Sequence, residues 1–194
     1  MKKVSYSLRI GIIGNKEHIK EIFLDGLSNI AIDSNFSNNS YECLIVFKQI
    51  PIKINVFIAD TLEMIIEKSE IIQKLDILIL TINLYDKKSL NTINKNVVEE
   101  FLEIFSFQGL SVLVGMDIEQ LLKDSPSKSF KISRFKLEKT TRDLNLIYCF
   151  EIFNKGTDIN EIYNTLFNDF ILRFQYSNPE LFESAKEYGK RILH

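Results

Sequence analysis

The sequence predicts an α/β protein with three layers, in which a six-stranded, mostly parallel sheet lies between two layers of helices. Two apolar runs, Leu75–Ile82 and Leu110–Val114, have the pattern of central strands that are covered on both faces. Strand-like runs alternate with helical periodicity along the chain, which is typical of parallel strands joined by helices. Pro51 separates two neighbouring strand-like segments and predicts one antiparallel hairpin near Gln49–Lys53.

The first half of the chain contains the opening strand, a helix and the hairpin. A short apolar strand at Ile10–Ile13 is followed by a turn that Gly14 opens and by an amphipathic helix at Lys16–Leu27. The segment Ala31–Ser40 is rich in Ser and Asn and predicts a loop. Two strands and a short or broken helix are expected next, at Tyr41–Ile50, Ile52–Ala59 and Thr61–Gln73.

The second half alternates helices with the remaining strands. After the central strand, helical spacing predicts a long helix at Lys87–Phe107. A helix begins at Asn178-Pro179 because Asn is a good N-cap and Pro suits the first helical position. The other expected elements are a short helical turn at Asp117–Lys123, a solvated helix within the basic segment Lys123–Asp143, a strand at Leu144–Phe150 and an amphipathic helix at Asp158–Phe174.

Composition narrows the classes of partner and compartment. The formal net charge is −2, so nothing in the overall charge favours nucleic acid or an anionic membrane surface. The chain has no apolar run of about 18 residues, no signal peptide and no lipidation motif, so no membrane span is expected. Cys43 and Cys149 lie inside apolar runs and are expected to be buried free thiols, which indicates a reducing, cytoplasmic location.

The segment Gly14–Glu21 has part of the spacing of a phosphate loop, G-x-x-x-x-G-K-[ST]. Gly14 and Lys20 match the first Gly and the Lys, whereas Ile19 and Glu21 stand where Gly and Ser or Thr are required. A strand, turn and helix in this order bring backbone N–H groups together at a helix N-terminus, which favours an anion. Two interpretations remain open at this point: an altered phosphate loop, or an ordinary turn at the start of a helix.

Four further segments carry residue types that occur in nucleotide sites. Asp60-Thr61-Leu62-Glu63 follows the second hairpin strand and is similar to the sequence D-T-x-G, although Asp60 is equally well explained as a helix N-cap. Met64 follows this segment directly. The remaining candidates are the hydroxyls of Ser37 and Ser40, the acidic residues Asp117 and Glu119 after the strand Leu110–Val114, and Asn154 and Lys155 after the last strand.

Together, and in their order along the chain, the five segments resemble the Ras-like small GTPase superfamily over about residues 7 to 174. The resemblance implies a Ras-like G domain at 1–176, a helical extension at 177–194 that packs on the domain or on a partner, and binding of GTP or GDP with Mg²⁺. It implies nucleotide contacts from Gly14, Asn15, Lys16, Ile19, Lys20, Glu21, Asp117, Glu119, Asn154 and Lys155. It implies Mg²⁺ ligands at Glu21, Ser40 and Asp60, and a partner face at Ser37, Tyr41, Asp60, Thr61, Glu63 and Met64.

The departures from the family pattern fall at the positions that carry its chemistry. Ile19 places a β-branched side chain where backbone must approach phosphate, and Glu21 adds negative charge beside it. The thioether of Met64 cannot orient water. We therefore expect a pseudo-GTPase, with Ile19 packed, that acts as a protein-interaction or regulatory module. The alternative is a slow NTPase that uses Lys20 and Asp60 with Mg²⁺, so enzymatic activity is left open.

Overall fold

The computed structural model describes residues 5–37, 40–67, 74–91, 93, 95–123 and 131–193. In these residues the chain forms an α/β fold around a seven-stranded sheet with the order β2-β3-β4-β1-β5-β6-β7. The strands are β1 (Tyr6–Ile13), β2 (Asp33–Ser37), β3 (Ser40–Phe47), β4 (Ile50–Ala59), β5 (Ile77–Asn83), β6 (Leu110–Met116) and β7 (Tyr148–Ile152).

Helices precede or follow most strands and cover both faces of the sheet. The first helical segment has three parts: α1 (Lys16–Ile19), a π-helical segment (Lys20–Leu24) and α2 (Asp25–Ser28). The others are α3 (Glu63–Ile66), α4 (Lys87–Asn91), α5 (Lys95–Ile104), α6 (Ile118–Lys123), α7 (Arg134–Asp143), α8 (Thr157–Ser177) and α9 (Pro179–Ile192).

The prediction of six strands is wrong, because the expected loop at Ala31–Ser40 contains β2. This strand pairs antiparallel with β3, and β3 pairs antiparallel with β4, so the described sheet has two antiparallel pairs rather than one. The β3–β4 turn lies at Lys48 and Gln49, which both have positive φ, and not at Pro51. Pro51 lies within β4 opposite Val46, one residue before pairing with β1 begins, so its missing N–H breaks no bond to β1.

Several helix boundaries also differ from the predicted ones. The expected helix at Lys87–Phe107 is divided into α4 and α5, and β7 begins at Tyr148 rather than at Leu144. Within Thr61–Gln73 the structure describes only the short α3, and residues 68–73 lie outside the described residues. Within Lys123–Asp143 the described helix is α7, while residues 124–130 lie outside the described part of the chain.

The core forms two clusters, one on each face of the sheet. On one face, β1 packs against the first helical segment and α8, with Ile10, Phe23 and Phe167 fully buried. On the other face, β5 and β6 pack against α3, α5 and α7, with Leu78 and Phe101 fully buried. The predicted three-layer arrangement is therefore confirmed.

The C-terminal helix α9 packs on the sheet of its own chain. Asn178 caps it by accepting a hydrogen bond from the Leu181 N–H at 3.1 Å. Ala185 is fully buried and Phe182 nearly so. A Cβ atom on Gly189 would lie 1.8 Å from the carbonyl oxygen of Gln49, so only glycine permits the contact between α9 and the β3–β4 turn.

Candidate functional site

The turn between β1 and α1 is held closely against β5. Gly14 has φ of +145°, and its N–H donates to the Ala59 carbonyl at 2.9 Å. The Thr81 hydroxyl donates to the Ile13 carbonyl at 2.8 Å, and a Cβ on Gly14 would lie only 1.9 Å from that hydroxyl oxygen. Glycine at this position is therefore explained by the backbone conformation and by the contact with β5, without a phosphate.

Helix α1 begins at Lys16, with only two residues between it and the end of β1. Asn15 is its N-cap, and the Asn15 side-chain oxygen accepts hydrogen bonds from the Glu17 and His18 N–H groups at 3.1 Å each. The residues that the resemblance assigns to a wide phosphate loop thus form the first turn of a helix. Two of the N–H groups at this helix terminus are already used by a side chain of the protein itself.

Ile19 is fully buried in the core beneath α1, as expected. Lys20 and Glu21 follow it on the π-helical segment, and both are exposed. The Lys20 ammonium lies 4.8 Å from the centroid of the Phe36 ring on β2, which is the geometry of a cation–π contact. Lys20 therefore lies against the β2 edge of the sheet.

Lys16, rather than Lys20, pairs with Asp60. The Lys16 ammonium lies 3.4 Å from an Asp60 carboxylate oxygen, and the Asp60 side chain is 52% exposed. A solvent-exposed pair of this kind contributes about 0–1 kcal/mol to stability. The structure thus does not bring Lys20 and Asp60 together as the alternative NTPase hypothesis requires.

The three candidate Mg²⁺ ligands lie on separate elements. Glu21 is on the π-helical segment, Ser40 begins β3 and Asp60 follows β4. Among the described residues, no group of three His, Cys, Asp or Glu side chains has an arrangement that could hold a metal ion.

The candidate partner-face residues differ in accessibility. Tyr41 is only 4% exposed, and its hydroxyl lies 2.9 Å from that of Ser28, so its side chain is part of the core. Thr61 and Glu63 are exposed, whereas Met64 is half-buried against the core. Ser37 is the last residue of β2.

A cavity of about 50 Å³ lies at the carboxyl ends of β1, β4 and β5. The chain leaves β1 toward β4 and leaves β5 toward β6, so the position between β1 and β5 is the topological switch point, where α/β proteins usually bind ligands. Gly14 and Thr81 line the cavity from this position. Its volume suits one or a few water molecules, whereas small-molecule sites have volumes of about 300–1,000 Å³.

The candidate base-contacting acid has a local structural role. Asp117 is 1% exposed, and its carboxylate accepts a hydrogen bond from the Gln120 N–H at 3.0 Å, which caps α6. Its own N–H donates to the Ile152 carbonyl at 3.0 Å. Glu119 lies in the first turn of the same helix.

The loop after β7 is closed by its own side chains. One carboxylate oxygen of Asp158 accepts hydrogen bonds from the Phe153 and Asn154 N–H groups at 2.7 and 3.0 Å. The Asn154 side-chain oxygen accepts from the Gly156 and Thr157 N–H groups at 2.9 and 3.2 Å. Lys155 is exposed. Four of the five backbone N–H groups from Phe153 to Thr157 thus donate to side chains of the same loop.

Two features were not predicted from the sequence. The first is an apolar strip at the β2 edge, which consists of Ile30, Ile32 and Phe36, with 42%, 51% and 46% of their surfaces exposed. The second is a groove at the amino ends of β1, β5 and β6, described below. The sequence shows the strip as apolar residues inside a polar segment. β2 itself contains only one of them, Phe36, and has no clear alternation of apolar and polar residues that would predict a strand.

Comparison with known proteins does not identify a family for this chain. No protein-family model matches the chain, and no curated protein matches it. Among the described residues, the helices are too short or too polar for any of them to cross a membrane.

Proposed function

We propose that this chain is a protein-interaction module on a Ras-like G-domain scaffold that no longer binds nucleotide. The observation that carries the proposal is the start of α1 at Lys16, with Asn15 capping it and Ile19 in the core. A phosphate loop at Gly14–Glu21 requires this helical turn to unwind and Ile19 to leave the core, which costs several kcal/mol.

The arrangement of the sheet supports the resemblance on which the proposal rests. Strands β4, β1, β5, β6 and β7 are parallel, and β3 is the antiparallel partner of β4, as the resemblance implies for the single hairpin. Strand β2 is an addition at the edge beyond that hairpin. A fold of this kind does not by itself carry an activity.

The β2 edge supports an interaction role. An edge strand leaves backbone N–H and C=O groups unpaired, and a partner strand binds such an edge by main-chain hydrogen bonds. Phe36 lies opposite Tyr41 in the β2–β3 ladder and is flanked by the Lys20 ammonium. An exposed aromatic ring beside an edge strand supplies a side-chain anchor for such a partner.

The absence of nucleotide is tested on purified full-length protein. The protein is denatured, and the supernatant is examined by chromatography for released nucleotide. We expect none, and stoichiometric GDP or GTP would overturn the proposal. GTP turnover that is abolished in Lys20→Ala, but retained in the exposed control Lys139→Ala, would establish the alternative NTPase.

The interaction role is tested with a matched pair of aromatic substitutions. Phe36→Ser and Phe135→Ser each remove one exposed ring, since Phe135 is 70% exposed on α7. Each variant is immobilised and incubated with cell lysate. We expect the wild type and Phe135→Ser to retain a specific protein that Phe36→Ser does not retain. If every retained protein is insensitive to Phe36, the assigned surface is wrong.

A further inference from the structure

A groove of about 430 Å³ lies at the amino ends of the parallel strands, opposite the closed switch point. It is bordered by the turns that precede β5 and β6 and by the last third of α8. Its volume lies within the range of about 300–1,000 Å³ that is typical of small-molecule sites. Ligand sites combine apolar walls with a few oriented polar groups, and both are present here.

Aromatic rings form the apolar part of the groove. Phe170 and Phe174 line it, with ring centroids 4.7 Å apart. Tyr6 packs behind them, with its centroid 4.4 Å from that of Phe174. Packing of the three rings fixes their orientation. Tyr6 and Phe170 are buried, so the half-buried Phe174 supplies the accessible ring surface for a flat apolar group.

Asp76 supplies a fixed carboxylate at the border of the groove. The Arg9 N–H donates to one of its oxygens at 2.8 Å, while the other oxygen has no hydrogen-bond partner among the described residues. The backbone of Asp76 is held by hydrogen bonds with the Arg9 carbonyl and the Leu110 N–H, at 2.9 Å each. Burial raises the pKa of this carboxyl. The hydrogen bond from the Arg9 N–H and the positive charges of Arg9 and Lys74 act in the opposite direction. A bound cation would therefore relieve an unfavourable burial of charge.

Arg173 supplies a fixed cation on the α8 side. Its Nε lies 3.2 Å from an Asp169 carboxylate oxygen, and its Nη1 donates to the Gln108 carbonyl at 3.0 Å. The Tyr148 hydroxyl donates to the other Asp169 oxygen at 3.0 Å, which fixes that carboxylate in turn. Nη2 of Arg173 has no partner among the described residues, so this guanidinium is positioned and retains donors for an anionic group.

We propose that this groove binds a small zwitterion, an α-amino acid with an aromatic side chain. The ligand ammonium pairs with Asp76, its carboxylate accepts hydrogen bonds from Arg173, and its ring packs against the half-buried Phe174. Asp76 disfavours a simple anion, whereas Arg173 and the positive charges of Lys74 and Arg9 near Asp76 disfavour a simple cation. A ligand with both charges satisfies both groups. The proposal is independent of nucleotide binding and of the β2 edge.

The chain contains no Trp, so the fluorescence of added L-tryptophan reports the ligand alone. We expect a saturable change in its emission as the full-length protein is titrated. Tryptamine lacks the carboxylate and indole-3-propionate lacks the ammonium. Each analogue lacks one charged hydrogen-bonding group, so each should bind roughly tenfold more weakly or worse.

Two substitutions and one control test the contacts. Asp76→Asn and Arg173→Gln should each weaken tryptophan binding roughly tenfold, with Asp76→Asn acting mainly on ligands that carry the ammonium. Arg142→Gln changes an exposed arginine on α7 and should have no effect. Circular dichroism spectra that match the wild type show that each variant is folded.

Three results would overturn the proposal: no saturation at millimolar tryptophan, equal binding of either analogue, or tryptophan binding that is unchanged by both Asp76→Asn and Arg173→Gln in folded protein. None of these results concerns the β1–α1 turn, so the groove and the proposed interaction role are tested independently.

Discussion

The two ends of the parallel sheet differ in how far their polar groups are satisfied. At the carboxyl end, Asn15 caps α1, Thr81 bonds to the Ile13 carbonyl, and the remaining cavity is about 50 Å³. At the amino end, Asp76 and Arg173 each retain a polar atom that has no partner among the described residues, beside a groove of about 430 Å³. The position where α/β folds usually bind ligands is thus closed, while the opposite end is open.

This difference shows that a few residues decide whether a switch point is available. The sheet persists because its strands are buried on both faces, which depends on many apolar side chains. The closure of the switch point depends on the turn at Gly14 and Asn15, on the cap that the Asn15 side chain forms, and on the buried Ile19. The same sheet topology can therefore occur with the usual ligand position either open or closed.

The largest expected effect tests the closure of the carboxyl end. Ile19→Ala should lower the free energy of unfolding by about 2–5 kcal/mol, because it leaves a cavity beneath α1 in a fully buried position. Urea denaturation monitored by circular dichroism measures this change.

Glu21→Ala is the matched control for Ile19→Ala. Glu21 is exposed two residues further along, and its substitution should change stability by about 0.5 kcal/mol or less. Equal effects of the two substitutions would mean that Ile19 is not in the core and that the segment is an open loop.

A second prediction concerns the contact between the β1–α1 turn and β5. Gly14→Ala should destabilise the protein by about 1–3 kcal/mol, because its Cβ would collide with the Thr81 hydroxyl and its φ is unfavourable for alanine. Thr81→Ala removes that hydroxyl. The double variant should therefore lose less stability than the sum of the single variants, by about 1 kcal/mol. Additive losses in chemical denaturation would show that the two residues are not in contact.

A smaller effect is expected at the amino end and depends on pH. Burial raises the pKa of Asp76 above its ordinary value of 3.8, so the native state favours the protonated carboxyl. The resulting stabilisation is present below the ordinary value and is lost as the pH rises through the native-state pKa.

Because asparagine cannot ionise, Asp76→Asn should gain stability relative to the wild type as the pH rises from about 3 to about 7. Thermal unfolding of both proteins across this range measures the difference. A gain that instead grows toward low pH would contradict the sign of the shift.

The sequence predicts the central sheet better than its margins, for a physical reason. Leu75–Ile82 and Leu110–Val114 are continuous apolar runs, and burial on both faces requires that pattern wherever the chain is placed. The described side chains of β2 are exposed and mostly polar, so its pairing with β3 leaves little signal in its composition. The start of the first helix at Lys16 was predicted from its apolar periodicity and is confirmed, whereas the capping role of Asn15 was not predicted, although Asn directly before a helix is a common N-cap.

The same limit applies to the amino-end groove. Asp76, Arg173 and Phe174 are far apart in the sequence, and each is ordinary in its local context. Only the parallel packing of β1, β5 and β6 against α8 brings them together, and no spacing rule reports that arrangement. The cap at Asp117, by contrast, was accessible from the sequence, since Asp directly before a helix is a common N-cap.

The amide resonances of Gly14 to His18 report directly whether a nucleotide binds at the β1–α1 turn. ¹⁵N-labelled protein is titrated with GDP and with GTP, each in the presence of Mg²⁺, and these N–H groups are followed by two-dimensional NMR. We expect no saturable shift of these resonances up to about 1 mM nucleotide, because α1 and its Asn15 cap already occupy the turn. Saturable shifts of these amides at micromolar nucleotide would contradict it and would show that a phosphate site forms there.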